Sequence, residues 1–172
     1  MALLIEHELT DVDADQVVAL HEALEDPVRY HLLMPVEDAA GQLTTSLGAL
    51  GGPELVPVVS PDSSEVEMIQ ESLDHNAQEC LDASIALLQQ RHQQVTAQLT
   101  RDDPVRGLGA LIKQVDGDEA IVLTESHVIA EFFHLDWTSR ARRQLEVPTL
   151  HLLEHKTLDE QSSGAGEGVD GM

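Results

Sequence analysis

The feature that most constrains the fold is a regular alternation between short aliphatic runs and longer amphipathic stretches. Aliphatic runs with the length of strands occur at 2–8, 30–36, 119–124 and 148–155, and apolar and polar residues alternate as in a strand at 94–100. Apolar residues at three- and four-residue steps predict helices at 13–25, 66–94, 104–115 and 131–146. Strands separated by helices of this length predict an α/β fold. We expect a three-layer sandwich in which a five-stranded, mostly parallel twisted sheet has helices on both faces.

The start of the 104–115 helix has the clearest local signal. Asp103 offers a carboxylate cap, and Pro104 suits the first helical position because its missing N–H needs no partner there. Asp116-Gly117 predicts the end of the same helix. In the long helix before it, Cys80 falls on the apolar face, which favours a buried structural thiol over a reactive one.

Domain organisation follows from where this pattern stops. We predict one domain over 1–155, about the size expected of a single unit. Within it, 38–64 is rich in proline and glycine and is predicted to be an irregular insertion or loop. The last residues, 156–172, combine glycine, serine and acids without an apolar pattern, so we predict a disordered acidic tail.

Charge excludes several classes of function. Lys and Arg number 9 against 32 Asp and Glu, which gives a formal net charge of −23. A surface this negative repels phosphate backbones and anionic lipid, so we expect no nucleic-acid partner and no membrane association. No basic N-terminal region or run of 18 apolar residues is present, and we expect a cytoplasmic protein. A single cysteine excludes an internal disulfide.

The histidines do not show the spacing of a metal site. His151 and His155 are four apart on a predicted strand, a span of about 13 Å, which is too long for two ligands of one ion. His127 and His134 are seven apart, across a loop and a helix start. We therefore expect no metal. Nothing in the sequence orients His127 into a catalytic triad, and we expect no enzymatic activity.

Rings and positive charge are concentrated in 132–143, which has three of the chain's four aromatic residues and three of its nine basic ones. The rings of Phe132, Phe133 and Trp137 either form a platform for a planar ligand or fill a cleft as a hydrophobic plug. The large apolar area that these rings bury favours the plug. Thr138 and Ser139 lie near a predicted helix start, and Arg140 can reach the same place, so it either helps to bind an anion there or pairs with the many carboxylates.

The second half of the sequence resembles the universal stress protein family. The residues that carry the resemblance are Asp103-Pro104, the strand Asp118-Glu119-Ala120-Ile121-Val122 and the final strand Val147-Pro148-Thr149-Leu150-His151. The resemblance implies a Rossmann-like fold of the nucleotide α-hydrolase type. It also implies an acidic residue near the end of the first strand that contacts adenine, and Glu8 lies nearest to that place.

Nucleotide-binding members of that family have the motif G-x2-G-x9-G-[ST] after the fourth strand, where glycines let the backbone approach phosphates. In this sequence the same spacing places Thr124, His127 and Trp137 at the glycine positions, and Thr138 keeps the hydroxyl. Side chains therefore occupy space that the family leaves open. We expect no cofactor and no ATP in the usual pose.

The sequence thus predicts a non-catalytic universal-stress-like protein, regulatory or stress-linked, with a degenerate nucleotide cleft. The alternative is a binder of a small anionic or nucleotide-like ligand at the carboxyl edge of the sheet. The candidate ligand-binding residues are Thr124, Ser126, His127, Trp137, Thr138, Ser139 and Arg140. The resemblance implies that the last strand pairs with its twin across a two-fold axis, and an exposed apolar edge strand is a liability unless covered, so we also expect a homodimer. Its candidate interface residues are Thr149, Leu150, His151, Leu152 and Leu153.

Overall fold

The structure, a computed structural model, describes residues 1–39, 62–124, 144–157 and 160–161. Five strands and three helices have both ends within these residues. In chain order they are β1 Ala2–Ile5, α1 Asp11–Ala19, β2 Arg29–Pro35, α2 Ser63–Gln90, β3 Gln94–Thr100, α3 Pro104–Val115, β4 Ala120–Thr124 and β5 Thr149–Leu153. The predicted helix at 131–146 falls outside the described residues except at its end, as do most of the predicted insertion and tail.

The five strands form one sheet in the order β3-β2-β1-β4-β5, and every neighbouring pair is parallel. The register places Leu3 of β1 opposite Leu32 of β2 and Ile121 of β4. The predicted α/β class and the five strands are confirmed, and the sheet is parallel throughout. Because β2 and β4 flank β1, the strand order reverses at β1, and ligands of open parallel sheets bind beyond the carboxyl ends of the strands at such a point.

Each face of the sheet has its own hydrophobic core. On one face, Leu3 and Ile5 of β1 are buried with Val17 of α1 and Leu81 and Leu88 of α2. Side chains of successive strand residues point to opposite faces, and a second core therefore forms on the other side. It buries alternate strand residues against α3, and its members include Leu4, Leu33, Leu108, Leu111, Val122 and Leu145. Helices thus cover both faces, as the sequence predicts.

The caps of α3 match the sequence signals. Asp103 is the N-cap, and its Oδ1 accepts a hydrogen bond of 3.1 Å from the backbone N–H of Arg106, with Pro104 in the first turn. Asp116 ends the helix with a left-handed φ of 52°. Gly107 lets α3 approach the sheet, because a Cβ at this position would lie 3.0 Å from Thr100 Oγ1.

Three element boundaries differ from the prediction near the N-terminus. The first strand ends at Ile5 instead of residue 8, because the N–H groups of Glu6 and His7 donate to the carboxylate of Glu154 and leave the ladder. Helix α1 begins at Asp11, two residues early, because Thr10 forms a capping box with Asp13. It ends at Ala19. The chain then continues in turns whose N–H groups donate to the carbonyl three residues earlier.

Within the part of the chain that the structure describes, no helix combines the length and the apolar character needed to cross a bilayer.

Candidate functional site at the carboxyl edge of the sheet

The carboxyl ends of β1, β4 and β5 meet at one edge because all three strands are parallel. Glu6 directly follows β1, Thr124 is the last residue of β4, and Glu154 directly follows β5. Glu8, which the family resemblance puts nearest to the adenine-contacting acid, lies two residues beyond Glu6 and is exposed. The acidic residue at the end of β1 is therefore Glu6.

Glu154 connects the ends of β5 and β1. Its Oε1 lies 3.3 Å from the backbone nitrogens of both Glu6 and His7, which donate to it. Its Oε2 lies 2.9 Å from Nδ1 of His7. The Glu154 side chain is only 2% exposed, whereas that of His7 is 51% exposed. A buried carboxylate is therefore fixed by two backbone donors, and the imidazole covers its solvent side.

The residues after Glu154 are attached to α1. Asp13 is fully buried, and its Oδ1 accepts a 2.7 Å hydrogen bond from the backbone N–H of His155. The other oxygen of Asp13 accepts from the Thr10 hydroxyl at 2.6 Å. One turn later, Gln16 Nε2 donates to the carbonyl of Lys156 at 2.8 Å. These bonds between the end of β5 and the start of α1 keep the Glu154 carboxylate in place.

Thr124 is the one candidate ligand-binding residue that the structure describes. Its Oγ1 lies 2.8 Å from Nε2 of His151 on the neighbouring strand. Burial lowers the pKa of His151, so this imidazole is neutral at pH 7. The first of the three glycine positions therefore has a hydroxyl that is hydrogen-bonded to β5. The other six candidates, Ser126, His127, Trp137, Thr138, Ser139 and Arg140, lie outside the described residues.

A second concave surface lies further along the same edge, beyond β2 and β3. It is an open groove of about 610 Å³ between the strand ends and α2, lined by Val36, Asp74, His75, Gln78, Leu99, Thr100 and Arg101. Arg101 forms an ion pair with Asp74 across it. Among the described lining residues Arg101 is the one Lys or Arg, and Asp74 offsets its charge.

The candidate dimer residues form β5, which is an edge strand as the prediction requires. Leu152 is buried in the core, and Thr149, Leu150, His151 and Leu153 are half-buried. Part of the edge is covered by the chain itself. The side-chain amide of Gln161 accepts from the N–H of Leu153 at 3.0 Å and donates to the carbonyl of the same residue at 3.4 Å.

Sequence reasoning did not find the Glu6, His7 and Glu154 group. The first two residues are separated from Glu154 by 148 and 147 positions, so no local motif relates them. Two signals were available: each residue follows a predicted aliphatic strand, and parallel strands end at one edge. The aliphatic run predicts a first strand through residue 8, which includes Glu6 and His7.

Comparison of the sequence with protein-family models and with curated proteins finds no match. Comparison of the structure with solved structures does find matches. The universal stress protein from Archaeoglobus fulgidus has a TM-score of 0.51 and 11% identity, over 88% of this chain and 92% of that one. The structure of the universal stress protein from that organism in complex with dAMP has a TM-score of 0.50 and 11% identity, over 87% and 94%.

A universal stress protein family protein from Arabidopsis thaliana with AMP bound is similar to the same degree. Its TM-score is 0.51 at 11% identity, over 93% of this chain and 94% of that one. Identity this low establishes similarity of fold alone. The resemblance that the sequence predicts is confirmed at that level: the chain has the α/β fold of the universal stress proteins.

Proposed function

We propose that the protein is a non-catalytic universal-stress-like protein with a regulatory or stress-linked role, and that its nucleotide cleft does not bind ATP in the usual pose. The observation that carries the proposal is the charge at the point where the strand order reverses. Glu6 and Glu154 lie at the ends of β1 and β5, on either side of β4. A phosphate group brought to this edge comes near two carboxylates, of which that of Glu154 is buried beneath His7.

The size of this repulsion supports the proposal. Two like charges about 5 Å apart at an effective dielectric constant of 20 repel by about 3 kcal/mol. A loss of that size corresponds to about a hundredfold weaker binding. His7 offsets part of it only when the imidazole is protonated, and its side chain is half exposed to screening solvent.

Thr124, at the end of β4, supports the same conclusion. By the spacing of the family motif it replaces the first glycine, and its hydroxyl is bonded to His151 at 2.8 Å. A glycine at a phosphate site lets the backbone approach the ligand, and a Cβ with a fixed hydroxyl takes up part of that space.

Thermal unfolding with and without 1 mM ATP, AMP or dAMP tests the proposal, because a ligand in hundredfold excess over its Kd stabilises by about 2.7 kcal/mol. We expect no shift of the midpoint with any of the three. Glu6→Gln removes one of the two charges and should increase any residual nucleotide binding, whereas Glu8→Gln, at an exposed position nearby, should not. Saturable stabilisation of the wild-type protein by ATP would refute the proposal.

The absence of catalysis has its own measurement. We expect phosphate release from ATP in the presence of the protein to equal release in buffer alone, with and without Mg²⁺. A turnover that scales with protein concentration across purification steps would contradict this part of the proposal.

The second candidate function is binding of a small anionic or nucleotide-like ligand at Thr138, Ser139 and Arg140. It is favoured by the bound AMP and dAMP in two of the similar structures. The same unfolding experiment separates the two functions. Selective stabilisation by AMP or dAMP that is lost in Arg140→Ala would establish the second function in place of the first.

We also propose that the protein forms a homodimer through β5. The edge position of this strand and its half-buried Leu150 and Leu153 support the interface. Sedimentation velocity should show a dimer for the wild-type protein and a monomer for Leu153→Glu. The matched control is Val12→Glu, which alters an exposed apolar side chain on α1 and should remain dimeric. A wild-type monomer at 100 µM would refute the dimer.

A further inference from the structure

Three side chains at the carboxyl edge together form a mixed nitrogen and oxygen ligand set. Glu6, His7 and Glu154 each offer one ligand atom, and the three atoms lie within 4.8 Å of one another. We propose that these residues form a binding site for a divalent transition-metal cation such as Zn²⁺. The proposal goes beyond the function proposed above and does not depend on it, because it concerns the protein without nucleotide.

The distances suit one ion. Zinc binds imidazole nitrogen and carboxylate oxygen at about 2.0–2.2 Å, so two ligands at angles between 90° and 110° lie about 3.0–3.4 Å apart. Nδ1 of His7 and Oε2 of Glu154 are already 2.9 Å apart. The carboxylate oxygen of Glu6 lies within 4.8 Å of the other two ligand atoms. Glu6 is only half-buried, so a small rotation of its side chain would bring this oxygen to about 3.0–3.4 Å from them.

The central ligand is preorganised. Oε1 of Glu154 accepts hydrogen bonds from the N–H groups of Glu6 and His7, which orients Oε2 toward the imidazole. The next residue, His155, is bonded through its N–H to the buried carboxylate of Asp13. Ligand carboxylates that are hydrogen-bonded through their second oxygen are typical of metal sites, since such bonds fix the orientation of the ligand.

Charge favours a cation at this place. The set combines two carboxylates with one imidazole, and the chain as a whole has a formal net charge of −23. The metal would lie between Nδ1 of His7 and Oε2 of Glu154, which already face each other at 2.9 Å. Three protein ligands with a half-exposed imidazole leave further coordination positions to water.

The ligand types indicate the class of ion. Imidazole suits zinc, nickel, copper and iron, while carboxylates also suit manganese and magnesium. With one nitrogen in the set, zinc should bind more tightly than manganese, and magnesium should bind least. Histidine spacing along the chain predicts no metal site. The proposed ligand set escapes that prediction because it combines residues near the N-terminus with Glu154 near the C-terminus.

The test is titration of the EDTA-treated full-length protein with ZnCl₂ at pH 7.5, in the absence of nucleotide, by isothermal calorimetry. We expect one site per chain that is lost, or weakened at least tenfold, in His7→Gln and in Glu6→Gln. Both variants keep Glu154 and its two backbone hydrogen bonds, so they should fold. The matched control is His75→Gln, which removes an exposed histidine 3.6 Å from Glu79 on α2 and should bind zinc as the wild-type protein does.

A second readout separates this site from adventitious binding. Excess Zn²⁺ should raise the unfolding midpoint of the wild-type protein and of His75→Gln, but not that of His7→Gln. Equal zinc stoichiometry and affinity in the wild-type protein and His7→Gln would overturn the proposal. The absence of zinc binding to the wild-type protein would overturn it as well.

Discussion

Removing the Glu154 carboxylate is the most informative perturbation of the edge where β1 and β5 end. Glu154→Ala deletes two hydrogen bonds from backbone N–H groups at 3.3 Å and one contact with His7 at 2.9 Å. Hydrogen bonds to charged groups contribute about 1.5–3 kcal/mol each, and these two backbone bonds are long. With about 1 kcal/mol for each of the three, we expect a loss of about 3 kcal/mol in the free energy of unfolding.

The expected loss is no larger because the half-exposed His7 can bond to water when its partner is removed. In a chain of this size each kcal/mol lowers the unfolding midpoint by about 2–4 °C, so we expect a decrease of about 6–12 °C. Glu154→Gln keeps an oxygen that accepts from the two N–H groups, and it should cost about 1 kcal/mol.

Urea unfolding followed by circular dichroism measures these differences directly. The matched control is Glu79→Ala, which breaks a histidine–carboxylate contact of 3.6 Å between side chains that are 73% and 68% exposed. An exposed pair of this kind contributes less than about 0.5 kcal/mol. If Glu154→Ala and Glu79→Ala were equally stable, the carboxylate would not connect the two strand ends, and the reasoning about this edge would be refuted.

Three further predictions concern the packing and charge of the scaffold. Gly107→Ala should lower the free energy of unfolding by about 1–3 kcal/mol, because the added Cβ would lie 3.0 Å from Thr100. Gly109→Ala, whose Cβ would have its nearest neighbour at 3.6 Å, should raise it by about 0.5–1 kcal/mol. Urea unfolding of the two variants measures both changes. Burial, and secondarily Glu119, raises the pKa of Tyr30, the only tyrosine, to about 12. The stability that this group contributes is therefore complete below pH 10 and is lost between pH 10 and about 12. Absorbance at 295 nm should show a tyrosine titration midpoint near 12 in the folded protein and near 10 in urea. A midpoint near 10 in the folded protein would contradict this prediction. Arg91→Ala should lose about 1 kcal/mol by removing bonds to Asp11 at 2.8 Å and Asp15 at 2.6 Å, with less effect in 1 M NaCl, and a salt-independent loss would indicate packing instead of charge.

The architecture was predictable from local patterns. Strand β3 was predicted with its observed bounds, and α3 was predicted from Asp103-Pro104 to Val115. Both succeed because their signals are local: an alternation of apolar and polar residues for β3, and a carboxylate cap followed by proline for α3. Helix α1 was predicted two residues late because its capping box pairs Thr10 with an aspartate, whereas the usual partner is glutamate or glutamine.

The candidate site was predictable only in part, because it depends on contacts between distant residues. The sequence identifies Thr124 through a motif spacing, and the structure places its hydroxyl against His151. It does not identify Glu154, whose carboxylate is fixed by N–H groups of residues at the other end of the chain. No periodicity encodes such a contact; it results from β1 and β5 lying on either side of β4 in one parallel sheet.

The measurement that tests the central claim most directly is equilibrium dialysis of the wild-type protein against labelled ATP, with Mg²⁺ present. If the carboxylates at the ends of β1 and β5 exclude polyphosphate, ligand concentrations on the two sides will be equal at every ATP concentration up to 1 mM. Saturation at one ATP per chain, unchanged in Glu6→Gln, would contradict the account.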